Sequence, residues 1–161
     1  MPGPASGSGA IRVGVVADTH GLLSKALLAE LEGADAIVHA GDICSESDLR
    51  TLERIAPLHI CRGNNDWGFA AGMELKPMLR VSIGGLRWQI CHYSEKLDPP
   101  TCDIAVCGHS HRPSMETTPY GCTIINPGSP TYPRTQMGPS CARVIIADGR
   151  IESAEIVLLG R

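Results

Sequence analysis

Apolar residues fall into short runs along this chain, and the runs of the first half stop at polar loops of recurring composition. Residues 11–17 form a β-branched run that ends at Asp18-Thr19-His20-Gly21, the pattern of a buried strand followed by a loop. Residues 24–31 carry helix formers. A second strand-like run, 35–40, ends at Gly41-Asp42. In Ser45-Glu46-Ser47-Asp48 the first Ser can cap a helix and the Asp three residues on can answer it. Leu49, Leu52 and Ile55 follow at helical spacing, up to Pro57. A third strand, 58–62, ends at Gly63-Asn64-Asn65-Asp66.

Three successive β-loop-α units predict a parallel sheet with helices packed on it, and such sheets bind ligands at the carboxyl ends of their strands. The second half changes character. Residues 79–83 and 86–92 flank Gly84-Gly85, a hairpin signal. Residues 103–107 read as another strand, ending at Gly108-His109-Ser110-His111. Strands over 122–126, 141–147 and 150–159 complete the pattern, the last two joined at Asp148-Gly149. No helix is expected after residue 78. The whole predicts two sheets packed face to face, with helices outside.

Composition fits this picture. A chain of 161 residues suits one domain with a single core, and 43% hydrophobic with 19% charged residues places it among globular proteins. No run approaches the roughly 18 apolar residues that a membrane helix needs. Residues 1–10, rich in Gly, Pro and Ser, have neither the basic start nor the apolar core of a secretion signal. They read as a disordered tail, with 11–161 as the domain. The net charge of −3 and scattered basic residues argue against a stable nucleic-acid complex but leave a small phosphorylated substrate open. Seven Cys, an odd number without C-x-x-C, read as reduced thiols in a cytoplasmic protein, packed as small core residues.

Five polar clusters each follow an apolar run: Asp18/His20, Asp42, Asn64, His92 and His109/His111. Carboxylate oxygen with imidazole nitrogen and no thiolate suits a borderline or hard divalent ion such as Mn, Fe, Zn, Ni or Mg. Gly21, Gly41, Gly63 and Gly108 stand beside these residues, where sharp turns and the close approach of ions would call for glycine. Any one cluster alone reads as structural. The ordered set, each member at a predicted strand end, points to a metal site. His39 and His59 lie inside strands and read as packed, hydrogen-bonded side chains.

The ordered motifs Asp18-x-His20, Gly41-Asp42, Gly63-Asn64-x-Asp66, His92 and Gly108-His109-x-His111 resemble those of calcineurin-like metallophosphoesterases. Asn126-Pro-Gly-Ser129 and Pro133-Arg134 resemble the small YfcE-like phosphodiesterase group in particular. The resemblance spans about residues 11 to 159. It implies an α/β (α+β) fold: a four-layer αββα sandwich of two mixed sheets flanked by helices, here with reduced helix content. It also implies two divalent ions, with Mn the first expectation. Asp18, His20, Asp42 and His111 would hold one; Asp42, Asn64, His92 and His109 would hold the other, Asp42 bridging. Asp42, Asn64, Asn65 and His109 form the implied catalytic set. Two ions roughly 3.5–4 Å apart can hold a hydroxide near neutral pH and neutralise charge as it attacks a phosphoester, a phosphodiester above all. Self-association is common among small members of this fold. The alternative is a catalytically silent scaffold, as in the retromer subunit of this fold, but the complete ligand set favours the enzyme.

Three departures bear on chemistry. Asn65 stands where many superfamily members carry a His that protonates the leaving group, so esters with good leaving groups are expected to be preferred. His92-Tyr93-Ser94 replaces the usual His-Gly-His, which makes Tyr93 a candidate to narrow the pocket or stack on a substrate ring, or else a cover for the sheet edge. Between His92 and His109 the chain is short and contains Pro99-Pro100, which forbids a regular helix there. Arg134 is a candidate phosphate clamp, its guanidinium matching phosphate geometry. Asp66 is expected to fix the Gly63-Asn64 turn, Asn126 to order the loop around the histidines, and Trp67 to wall the pocket or join the core.

Overall fold

The structure, a computed structural model, describes residues 9–67 and 74–160. The first sheet contains β1 (Ile11–Val16), β2 (Ala36–His39), β3 (Leu58–Ile60), β9 (Ser140–Ala147) and β10 (Arg150–Leu158), in the order β10-β9-β1-β2-β3. The second contains β4 (Met78–Ile83), β5 (Leu86–Cys91), β6 (Ile104–Val106), β7 (Ser114–Thr117) and β8 (Thr123–Asn126), in the order β4-β5-β6-β8-β7. Both are mixed. Strands β1, β2 and β3 run parallel in one sheet and β5, β6 and β8 in the other, with antiparallel partners outside each trio.

The period-2 pattern accounts for the packing. Val13, Val15 and Ala17 of the first sheet face Trp88, Ile90, Ile104, Val106 and Ile125 of the second in one continuous buried core. The alternate residues, Val16, Ile37 and Ile60, turn to the outer face of the first sheet. There they meet Leu27 and Leu31 of α1 (Lys25–Leu31) and Leu49 and Leu52 of α2 (Glu46–Ile55). With both faces covered, β1 and β2 are apolar almost throughout, as parallel strands require.

Ser24 caps α1 by accepting from the Leu27 N–H at 3.2 Å, and Ser45 caps α2 by accepting from the Asp48 N–H at 3.2 Å. The reciprocal half of the expected capping box does not form: Asp48 Oδ2 is buried without a hydrogen-bond partner. The stretch after β3 that would complete a third β-loop-α unit includes residues 68–73, which lie outside the described residues. Strand β7 was not expected, because Ser114–Thr117 is largely exposed and lacks a clean apolar alternation.

Both described α-helices lie on the first sheet. The outer face of the second sheet carries a small cluster of Cys102, Ala105 and Cys122 with Leu97 and Ile124 beside it. Two 3-10 turns, Ser94–Lys96 and Pro99–Thr101, span the interval that cannot be helical. Reduced helix content is thus concentrated on this side of the sandwich. No helix among the described residues is long and apolar enough to cross a membrane.

Candidate metal centre

Six parallel strands, three from each sheet, end on one edge of the sandwich. Asp18 and His20 follow β1, Asp42 follows β2, Asn64 follows β3, His92 follows β5, and His109 and His111 follow β6. The loops are tied together beyond the sheets. Asp18 N–H donates to Gly41 O at 2.9 Å, His20 N–H to Asp42 O at 3.0 Å, and Gly108 N–H to His92 O at 3.1 Å.

All seven residues converge. Asp18 Oδ1 lies 3.5 Å from His111 Nε2, 3.8 Å from His20 Nε2 and 3.9 Å from His92 Nε2. Asp42 Oδ2 lies 3.4 Å from His92 Nε2 and 3.6 Å from His20 Nε2, between the two halves of the cluster. His20 Nε2 and His111 Nε2 are 3.2 Å apart. On the other side, His92 Nε2 is 3.0 Å from Asn64 Oδ1 and 3.2 Å from His109 Nδ1.

Two of the rings are oriented by hydrogen bonds at their far nitrogens. His92 Nδ1–H donates to Ala40 O at 2.8 Å, and His111 Nδ1–H donates to Tyr132 O at 2.7 Å. Each bond leaves the Nε2 lone pair directed at the cluster, the arrangement a metal-ligating imidazole needs. His20 Nδ1 lies 3.7 Å from Cys44 Sγ. Cys44 is half-buried in this loop, so the expectation of seven core thiols does not hold for it. The others are buried and free; Cys102 and Cys122 bring their sulfurs to 3.5 Å.

Asp18 Oδ1 is buried and has no hydrogen-bond partner, although three imidazole nitrogens surround it. Oδ2 of the same carboxylate accepts from His109 N–H at 2.9 Å. A buried carboxylate oxygen without a donor is costly, and a cation removes the cost. Burial, reinforced by Asp42, pushes the Asp18 carboxyl up to about 7 despite the opposing pull of His92, the His109 N–H and Arg134. Burial acts in the same direction on Asp42, but hydrogen bonds from His92 and Asn65 outweigh it and hold this carboxyl below its ordinary value. Burial pushes His92 down and Asp42 more than reverses this, so its imidazole sits above the usual range. His111 is pushed down by burial. The donor set and its electrostatics fit divalent cations.

The supporting residues fall largely where the motifs placed them. Asp66 accepts from Gly63 N–H at 2.7 Å, Asp42 N–H at 2.8 Å and Cys44 N–H at 2.9 Å, tying the β2 and β3 loops together. Although Asp42, Cys44 and Asp66 lie close enough to share an ion, the amides already occupy both Asp66 oxygens. Asn126 Nδ2 donates to Gly108 O at 3.2 Å and Ser110 Oγ at 3.1 Å, fixing the turn that carries His109 and His111. Asn65 is turned inward: its backbone N–H donates to Asp42 Oδ1 at 2.9 Å and its side-chain amide to Asp42 Oδ2 at 3.0 Å.

Tyr93 packs against the site histidines, its ring centroid 5.2 Å from His92 and 5.1 Å from His109. Arg134 is exposed, its N–H bonded to His111 O at 3.3 Å, and its charge lowers both Asp18 and His111. Trp67 does not join the core; it is 56% exposed with the Arg62 guanidinium 4.0 Å above its ring.

Several contributors lay outside the predicted set. Ser129 Oγ donates to Asp18 O at 2.7 Å and accepts from Tyr132 N–H at 2.8 Å, coupling the Asn126-Pro-Gly-Ser129 loop to the first ligand. A serine after Pro-Gly signals such a turn, but its partner 111 residues away is set by packing. His39 is packed as expected, yet it also bridges loops: it accepts from Gly41 N–H at 3.1 Å and donates to Thr19 Oγ1 at 3.0 Å. Burial pushes it down to about 3, so it is neutral. Tyr132, whose carbonyl orients His111 and whose ring stands beside His20, carried no sequence signal.

Gly21 and Gly41 take the sharp turns expected of them, with φ of 82° and 103°. A Cβ on Gly63 would overlap the side chain and backbone nitrogen of Asp42, and one on Gly108 would lie 2.9 Å from Asp18 Oδ2. These positions admit the ligand carboxylates themselves. Left-handed backbone also falls on five of the clustered residues: Asp18, His20, Asp42, His109 and His111 have φ between 50° and 73°. Strain of this kind concentrates at functional sites.

A carboxylate–imidazole cluster on the shared strand-end edge of two packed mixed sheets defines a class, the divalent-metal-binding α/β proteins. Residues 11–149 match the model of the calcineurin-like phosphoesterase superfamily domain, and the chain belongs to that superfamily. It is 29% identical to a probable metallophosphoesterase of Methanothermobacter thermautotrophicus, over 92% of each chain. Among solved structures, vacuolar protein sorting 29 from Cryptosporidium parvum superposes with a TM-score of 0.73 at 20% identity, covering 92% of this chain and 97% of that one. YfcE, a phosphoesterase from E. coli, superposes with a TM-score of 0.63 at 21% identity, covering 93% of this chain and 100% of that one. At these identities the two structures establish the fold.

Proposed function

We propose that this chain is a divalent-metal-dependent hydrolase of small phosphoesters, with phosphodiesters preferred, and that its seven clustered residues hold two ions. Asp18, His20, Asp42 and His111 form one ligand set; Asp42, Asn64, His92 and His109 form the other. The observation that carries this reading is Asp18 Oδ1, buried without a hydrogen-bond partner and facing three imidazole nitrogens at 3.5–3.9 Å. When bound, divalent ions supply the Lewis acidity that activates water and neutralises charge on phosphoryl oxygens. Mn is the expected pair, with Fe, Zn, Ni and Mg also suited to these donors.

The chain's own contribution is positional. Ala40 O and Tyr132 O aim His92 and His111, and the Asn65 and Asp66 contacts set Asp42 between the two halves. Arg134 supplies positive charge from the rim, suited to a phosphoryl oxygen. Asn65 offers no titrating proton, and its amide N–H is engaged by Asp42. Esters whose leaving group departs without protonation should therefore turn over fastest. A diester carries one negative charge at neutral pH where a monoester carries nearly two, and so asks less of a rim charged by Arg134.

The test uses chelated protein, an aryl phosphodiester and added Mn. Activity should vanish on chelation and return with the ion, and Asp18→Asn should lower kcat/KM by about a hundredfold or more. A chain inert with every divalent ion, and unaltered in metal content by Asp42→Ala, would instead favour a protein-binding scaffold, the alternative raised by the resemblance to vacuolar protein sorting 29.

A further inference from the structure

The loop that follows β8 meets the cluster at its Asp18/His20/His111 half, and Ser129, wholly buried, anchors it there. Its Oγ donates to Asp18 O at 2.7 Å and accepts from Tyr132 N–H at 2.8 Å and Thr131 N–H at 3.2 Å. A hydroxyl has one proton and two lone pairs, so all three are committed. Two of these bonds lead to members of the same ligand set. Asp18 carries left-handed backbone, with φ of 56°, and Ser129 holds the carbonyl of that residue. Tyr132 O accepts from His111 Nδ1–H at 2.7 Å, so fixing the Tyr132 N–H also places the carbonyl that aims this imidazole. The Tyr132 ring stands beside His20, centroids 5.8 Å apart. Among the described residues, no hydrogen bond runs from residues 127–134 to Asn64, His92 or His109. His92 is aimed from elsewhere, by Ala40 O. The bond from His109 N–H to Asp18 Oδ2 links the halves through a backbone amide and does not aim the His109 ring.

We infer that Ser129 is a positioning residue for one ion of the pair: through Asp18 and Tyr132 it sets the Asp18/His20/His111 half of the cluster and leaves the Asn64/His92/His109 half to other contacts. The inference rests on the two-ion phosphoesterase reading above and goes beyond it by making the two sites separable. Contacts behind a metal ligand are typically worth about 10–100-fold in metal affinity, so removing one that serves a single ligand set should weaken a single site. Ser140 provides an internal comparison. Its hydroxyl is equally buried and donates to Pro127 O at 2.7 Å, bracing the same loop by a bond that ends on no ligand.

The experiment titrates the metal-stripped full chain, Ser129→Ala, Ser129→Cys and Ser140→Ala with Mn by calorimetry. The parent should take up two ions. Ser129→Ala should lose at least roughly tenfold in affinity for one of them and keep the other within about threefold, while Ser140→Ala keeps both. Ser129→Cys nearly preserves the shape but is a weaker donor and acceptor. It should show the same selective loss in smaller measure, and it decides the matter if the Ala variant does not fold. The weakened half is identified without metal, by NMR of the imidazole N–H groups. In Ser129→Ala the His111 Nδ1–H should exchange faster with solvent, and the His92 Nδ1–H, bonded to Ala40 O, should not. Equal losses for both ions, unaltered affinities in the Ser129 variants, or the same selective loss in Ser140→Ala overturns the inference, while two ions on the parent leave the metal-dependent reading standing. A parent that takes up no divalent ion is the separate failure of that reading and takes the inference with it.

Discussion

Five residues of the cluster share left-handed backbone, and a few surrounding hydrogen bonds hold them there. Asp66 is the most concentrated of these, with three backbone N–H groups of two loops converging on one buried carboxylate. Asp66→Ala would strand those donors, and unfolding in denaturant should show a loss of about 3 kcal/mol or more, together with weakened metal binding. Asp18 sets the pH response. Its folded carboxyl titrates near 7, above the ordinary 3.8, so the metal-free fold keeps a proton that the unfolded chain releases. The stability this group contributes is fully present below 3.8 and is lost as pH rises through about 7. A cation must displace the same proton. With the His92 imidazole also held above its usual range, metal affinity should therefore climb by at least about tenfold per pH unit below neutrality and level off once these protons are gone. Calorimetry in buffers of different ionisation enthalpy should detect the proton release. Affinity independent of pH from 5.5 to 7 would contradict this assignment.

At the scale of elements, the site is made by loops that begin where β1, β2, β3, β5 and β6 stop. Those loops cross one another at distances that leave no room for side chains at selected points. Gly63 is the sharpest case, since any Cβ there falls on Asp42. Gly63→Ala should push the β3 loop off the β2 loop, costing about 1–3 kcal/mol as an overpacked contact does. Metal affinity should fall by more than tenfold; an unaltered affinity would show that Asp42 tolerates the shift. After β5 the chain takes two 3-10 turns in place of a helix, and Gln89 stitches that stretch down by donating to Thr101 Oγ1 at 2.7 Å and accepting from Asp98 N–H at 2.8 Å. That bracing, rather than helical packing, holds the segment leaving Tyr93.

For the molecule as a whole, the cluster straddles two sheets. Asp18, His20, Asp42 and Asn64 come from the first, and His92, His109 and His111 from the second. Ions held by both groups, as proposed, would join the sheets at their shared edge as well as through the core. Saturation at a hundred times Kd stabilises a fold by about 2.7 kcal/mol, which corresponds to roughly 5–10 °C in Tm for a chain of this size. Differential scanning fluorimetry should show that rise with Mn, larger at pH 8 than at pH 6 because Asp18 is then free of its proton. No rise in Tm with any divalent ion would argue that the cluster binds none.

The sequence by itself determined the strand ends and the ligand types. Short apolar runs stop just before Asp18, Asp42, Asn64, His92 and His109, and a strand end fixes which edge of a sheet a residue occupies. Local pattern also sufficed for the Ser45 cap of α2, the two hairpins and the unhelical stretch around Pro99-Pro100. What only the tertiary structure decided are the contacts between distant residues. His92 is aimed by a carbonyl 52 positions earlier and His111 by one 21 positions later, and backbone carbonyls carry no sequence signal. The inward turn of Asn65 onto Asp42, the placement of Cys44 beside His20 and that of the Tyr132 ring beside the same imidazole belong to the same group. The reason is physical: hydrophobic periodicity records which face of an element is buried, whereas the distance between two loops depends on how two sheets pack.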